Sequence, residues 1–173
     1  MSASLEERIA RLEAIEAIKQ LKYRYFRACD RKQPDVVRAC FAPGAIDLQY
    51  GRIGSFTNRD DMIAVFTELA CQEHIVEMHH GQNPEVTLTG PLEAVAAWGL
   101  YYYMIDTRRN VVTQLGGFYD DAYVCIDGDW LISRSHYEVS STAIYTLGDG
   151  PVQPVFAGTA APVELDDPSE QAG

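Results

Sequence analysis

Residues 93–106, EAVAAWGLYYYMID, and 111–126, VVTQLGGFYDDAYVCI, are followed by an Asp127-Gly128-Asp129 turn and by 130–140, WLISRSHYEVS. These segments decide the fold. They are rich in aromatic and β-branched residues, and Asp-Gly is a favoured hairpin turn. They predict long strands running back and forth. Residues 76–89 end in Val86-Thr87-Leu88-Thr89 before a Gly90-Pro91 break, which adds an earlier strand. Gly116-Gly117 inside a strand pattern reads as a bulge or sharp bend, which a curving sheet needs.

Upstream the pattern is helical. Leu5, Ile9, Leu12, Ile15, Ile18, Leu21, Tyr25 and Ala28 recur at steps of three and four, giving one apolar stripe over residues 5–29. Pro34 opens a short helix over about 34–41. Asn58 caps a third over about 59–72, with Asp61 in its first turn. Ile46, Leu48 and Tyr50 alternate with Asp47 and Gln49, as in a half-buried strand. Helices first, then an antiparallel meander, predict an α+β fold: a cone-shaped barrel with helices packed on a strongly curved sheet around a pocket. The domain is expected over residues 1–142. Residues 143–173 are expected to be an extended C-terminal segment whose last ten residues are disordered.

The chain has 173 residues, enough for one domain with a sizeable core. Its net charge is −11, and six acids lie after Arg134 with no Lys or Arg among them, which leaves −5 for residues 1–134. Such a surface repels nucleic acid and anionic membranes. No apolar run is long enough to span a bilayer, and the N-terminus MSASLEERIARLEAIE has no apolar signal region, so a cytoplasmic protein is expected. Cys29, Cys40, Cys71 and Cys125 follow no metal-ligand spacing and read as reduced, buried thiols.

Two groups carry the expected chemistry. Asp30 ends the long helix, where the dipole disfavours negative charge, so its carboxylate needs a partner. His79-His80 opens a strand and supplies one. A carboxylate bonded to one ring nitrogen fixes the tautomer and makes the other nitrogen a general base. Adjacent strand residues point to opposite faces, so either His79 or His80 faces inward, and the two do not share a metal. Tyr25 lies on the inward stripe and is placed to hydrogen-bond a substrate oxygen. His74 reads as a helix-end residue, and His136 as a partner of Glu138. No nucleophile elbow, phosphate loop or dinucleotide motif occurs, so no cofactor and no metal are expected. Aromatic residues such as Trp98, Tyr101–Tyr103, Tyr119 and Tyr123 supply lining for a small apolar ligand.

Three stretches carry a resemblance: IEAIKQLKYRYFRACDRKQPDVVRACFAPGAIDL, MHHGQNPEVTL and GGFYDDAYVCIDGDWLISR. In their order and spacing, roughly residues 8–140 resemble the SnoaL-like branch of the NTF2-like superfamily. Within it the chain is similar to scytalone dehydratase, bile-acid dehydratase and hexachlorocyclohexane dehydrochlorinase. The resemblance implies an Asp–His dyad at Asp30 and His79, a helix tyrosine at Tyr25, a pocket tyrosine at Tyr50, and Arg134 or Ser135 as a substrate-facing residue on the last strand. It implies a cofactor-independent lyase or isomerase acting on a small hydrophobic ring compound, with a non-catalytic ligand-binding or scaffold module as the alternative. The segment AIYTLGDGPVQPVFAG resembles an extended C-terminus exchanged between subunits, and implies a homotrimer or, failing that, a dimer.

Overall fold

The computed structural model describes residues 4–147 and 153–157. Helix α1 runs Leu5–Asp30, α2 Pro34–Ala39 and α3 Arg59–Leu69. The strands are β1 Asp47–Gln49, β2 Ser55–Phe56, β3 Ile75–Leu88, β4 Glu93–Asp106, β5 Val111–Ile126, β6 Asp129–Thr146 and β7 Gln153–Ala157. A capping box starts α1: the Glu7 amide donates to Ser4 Oγ, and the Ser4 amide donates to the Glu7 carboxylate. Asn58 caps α3 by accepting from the Asp61 amide at 2.9 Å.

The sheet order is β2-β1-β6-β5-β4-β3, with β7 also paired to β6. All of these pairings are antiparallel except β1 with β6, which matches Asp47–Gln49 to Arg134–His136. The two edge strands do not pair with each other among the described residues, so the cone stays open rather than closing as a barrel. Helix α1 lies across the sheet against β3 and β6, α2 packs beside it, and α3 packs on α2 and β2. Between them the core is built from Ile18, Leu21, Phe26, Val37, Phe41, Leu48, Trp98, Tyr123 and Ile132.

Two features depart from the sequence reading. Strand β6 continues to Thr146 and β7 pairs with it, so residues 143–146 and 153–157 contribute to the sheet, and the boundary expected at 142 falls inside a strand. The expected disorder of the last ten residues lies outside the described residues. The stripe on α1 is fully buried only from Ile18 onward; Ile15 is half-buried, and Leu5, Ile9 and Leu12 are exposed. The Gly116-Gly117 pair coincides with a register shift against Val139 and Ser141, in keeping with a bulge. No helix among the described residues is long and apolar enough to cross a membrane.

Candidate active site

Asp30 is the last residue of α1, and the chain turns away directly behind it. Lys32 adopts a left-handed conformation (φ 55°), and the amides of Lys32 and Gln33 donate to the carbonyls of Cys29 and Ala28. This closes the helix end in the manner usually reserved for glycine. The Asp30 carboxylate therefore faces β3 instead of solvent. Its Oδ1 lies 2.7 Å from His79 Nδ1, and the His79 backbone amide donates to Oδ1 at 3.0 Å and to Oδ2 at 3.2 Å. Two contacts from one residue fix both the carboxylate and the ring. Phe26 stacks on the imidazole at 5.6 Å with a 12° interplanar angle, and Tyr102 meets it edge-on at 4.8 Å. A proton held at Nδ1 by the carboxylate leaves Nε2 as the basic atom.

The ring forms part of the wall between two spaces. Inside is a cavity of about 290 Å³ that takes in Tyr25, Tyr50, Met62, Phe66, Leu100, Leu115 and Tyr119 along with His79. Outside is an open cleft bordered by Tyr23, Arg27, Arg31, His80 and both members of the dyad. Asp30 borders only the outer cleft, while His79 borders both, so the ring connects an apolar chamber to a solvent-facing side.

Tyr25 and Tyr50 supply hydroxyls to the cavity. Burial pushes the Tyr25 phenol well above its usual range, and it pushes Tyr50 up as well. Both stay neutral donors at physiological pH. The Tyr50 hydroxyl sits near Tyr25 and Ser135 yet, among the described residues, has no hydrogen bond of good geometry, and Thr113 Oγ1 is likewise buried and without a partner among them. Unpaired polar atoms facing a cavity are binding points for a ligand's polar groups.

The strand positions resolve the remaining candidates. His80 is exposed and packs on Tyr101 on the outer face. Arg134 does not reach the cavity: it pairs with Asp120 at 2.7 Å, while the neighbouring Ser135 is fully buried. The reason is a register shift between Ala122/Tyr123 and Ile132/Arg134, which gives β6 an extra residue and reverses the inward parity after Ile132. His136 bonds Asp47 at 2.7 Å rather than Glu138. His74 lies in the turn before β3, since α3 ends at Leu69.

Sequence reasoning missed two polar clusters. In the first, Glu77 lines the cavity two residues before His79, accepts from the Tyr102 hydroxyl at 2.7 Å, and is ion-paired with Lys32. Strand alternation would have found it once His79 was placed inward. In the second, Lys22 and Asp121 are wholly buried, with Nζ and Oδ2 2.7 Å apart. Asp121 also accepts from Tyr123 and Ser135, and Lys22 Nζ lies 3.7 Å from the centre of the Tyr119 ring. Nothing in the helical pattern distinguishes Lys22 from a solvated lysine, since its partner comes from a strand about a hundred residues later.

The chain belongs to the SnoaL-like domain family, whose model matches residues 10–136. Among solved structures it is similar to a candidate scytalone dehydratase from Novosphingobium aromaticivorans, at 21% identity and a TM-score of 0.73, covering 82% of this chain and 98% of that one. It is also similar to the hexachlorocyclohexane dehydrochlorinase LinA-type3 from Novosphingobium barchaimii, at 14% identity and a TM-score of 0.69, covering 89% and 98%. A third likeness is to a candidate aromatic ring hydroxylase from Novosphingobium aromaticivorans, at 16% identity and a TM-score of 0.65, covering 88% and 96%. At these identities the likeness establishes the fold.

Proposed function

We propose that this protein is a cofactor-independent lyase of the dehydratase type, or an isomerase, acting on a small hydrophobic ring compound. The observation that carries the reading is the 2.7 Å contact between Asp30 and His79 on the wall of an apolar cavity. His79 Nε2 removes a proton from a carbon next to an activating group. Asp30 keeps the proton on Nδ1 and stabilises the imidazolium that forms. The C–H electron pair becomes a C=C bond. In elimination the C–O bond breaks, and the departing oxygen takes a proton, leaving as water. In isomerisation the proton returns to a different carbon. Tyr25 and Tyr50 donate to the oxygen that gains charge. Two of the three similar structures carry dehydratase or dehydrochlorinase names, which supports the elimination branch.

Turnover against a panel of hydroxy-steroids, polyketide-type rings and chlorinated rings tests the reading. On any substrate found, Asp30→Ala and His79→Ala are each expected to lower kcat by at least about 10²-fold. Full activity in both variants overturns the dyad assignment.

The protein is further proposed to be cytoplasmic and a homo-oligomer, a trimer first and a dimer second. Val76, Met78 and Phe118 expose apolar surface on the sheet, as do Leu5, Ile9 and Leu12 on α1. Sedimentation analysis is expected to give a multiple of the 19.3 kDa chain mass.

A further inference from the structure

Two crosslinks join the end of α1 to β3. Asp30 reaches His79, and Lys32 reaches Glu77, so each step of two along the helix end meets a step of two along the strand. Glu77 and His79 both border the cavity, and about 7 Å separates neighbouring side chains on one face of a strand. A carboxylate at that distance in a half-buried setting acts on the imidazole as strongly as many direct contacts do at the surface. The Glu77 side chain is only 7% exposed, yet it is held by two donors, the Lys32 ammonium and the Tyr102 hydroxyl. Lys32 occupies a left-handed position where glycine is the easiest residue to place. Its backbone conformation is unfavourable for a side chain, and what the side chain contributes is a charge on Glu77.

We infer that the Lys32–Glu77 pair sets the pH at which His79 changes protonation state, with Glu77 favouring the imidazolium and Lys32 restraining it. Glu77 accepts from the Tyr102 hydroxyl, whose ring meets the His79 ring edge-on. An uncompensated carboxylate there would bias the base toward its protonated form. Lys32 offsets that charge while keeping Tyr102 anchored. Both residues are positioning residues. The other ionisable groups facing the ring are the same in every variant: Asp30 in direct contact, Cys29 beside it on α1, Tyr102 on β4, and Arg27, Arg31, His80 and Tyr23 around the outer cleft. Cys29 and Tyr102 stay neutral, since burial pushes both up.

This inference rests on His79 being the base, but its test needs no substrate. Histidine-¹⁵N-labelled protein is titrated by NMR, and the His79 ring signals are identified by their loss in His79→Gln. Glu77→Gln is expected to move the His79 titration midpoint down by about one pH unit. Lys32→Gln is expected to move it up by roughly half a unit, less because the ammonium is farther away and 21% exposed. The double variant is expected to fall between the two, about half a unit below the wild type if the shifts add. Opposite shifts from two side chains in one contact do not arise from a general loosening of the fold. If both variants shift the midpoint the same way, or neither moves it by more than about 0.2 unit, the inference is overturned. Should Glu77→Gln fail to fold, Lys32→Gln decides alone: an upward shift upholds the inference and its absence ends it. Lys32→Arg keeps the charge and is expected to leave the midpoint in place. The titration outcome is independent of turnover, so a protein with these shifts and no activity refutes the proposed reaction and leaves this inference standing.

Discussion

Asp121→Asn tests the buried ion pair behind the cavity, and the structure sets its magnitude. Lys22 and Asp121 side chains are both 0% exposed. Asparagine keeps the shape and still accepts from the Tyr123 or Ser135 hydroxyl, but it removes the carboxylate charge paired with Lys22. Burial already lowers the proton affinity of Lys22 against the opposing pull of Asp121. Without that pull, the folded state holds Lys22 neutral while the unfolded chain keeps it charged. From pH 7 to the ordinary lysine value of 10.5, the proton release costs up to about 5 kcal/mol, at about 1.4 kcal/mol per unit. Breaking buried ion pairs in other proteins costs about 3–5 kcal/mol, which agrees. The sign of the pH dependence follows from proton counting. The unfolded variant binds one more proton than the folded one until pH reaches 10.5, so variant stability rises with pH. Urea unfolding followed by the fluorescence of the buried Trp98 and Trp130 reads this directly. The expected result is a loss of about 3–5 kcal/mol at pH 7, most of it regained relative to wild type by about pH 10. A loss under about 1 kcal/mol at neutral pH, or a loss that does not shrink with rising pH, refutes the reasoning.

Two further outcomes follow from the same coordinates. The hydroxyls of Tyr25, Tyr102, Tyr119 and Tyr123 are all pushed well above the usual range, chiefly by burial. A raised acid holds its proton more tightly when folded, so above about pH 10 stability falls by about 1.4 kcal/mol per unit for each tyrosine. Tyrosinate absorbance from these four is expected to appear together with unfolding, and their smooth titration in a folded protein would count against the assignment. Gly81→Ala places a methyl 2.3 Å from Phe26 Cε2, and Phe26 stacks on His79. It is expected to destabilise by about 1–3 kcal/mol and to lower turnover, whereas Gly99→Ala, whose nearest neighbour is Gln82 O at 3.4 Å, is expected to do neither. Equal behaviour of the two variants in thermal unfolding would show that Phe26 is not held as described.

Most of the fold was legible because it rests on local patterns. The 3.6-residue stripe located α1 to within a residue of its end, and the Asp127-Gly128 turn joined β5 to β6 where expected. The misses share one cause, which is that strand parity is not purely local. Simple alternation puts Ile132 and Arg134 on one face and leaves the choice between Arg134 and Ser135 open, but the register shift beside them turns Arg134 outward and Ser135 inward. A bulge without glycine leaves no mark in a single strand, because it exists only relative to the partner strand. The β7 strand was missed for the same reason: a five-residue segment containing Pro154 acquires strand character from the edge it pairs with.

The sequence by itself determined that a carboxylate would stand at the end of an apolar helix and need a partner, because the helix dipole and burial act on Asp30 wherever the chain goes. It also determined that His79 and His80 face opposite ways. Only the tertiary structure decided which of them met Asp30, since that choice depends on how β3 is phased against the helix end. The tertiary structure alone brought Lys32 to Glu77 and Lys22 to Asp121. A charged residue's burial and partner are properties of the packing, and two residues 45 or about a hundred positions apart carry no mark of each other in the chain.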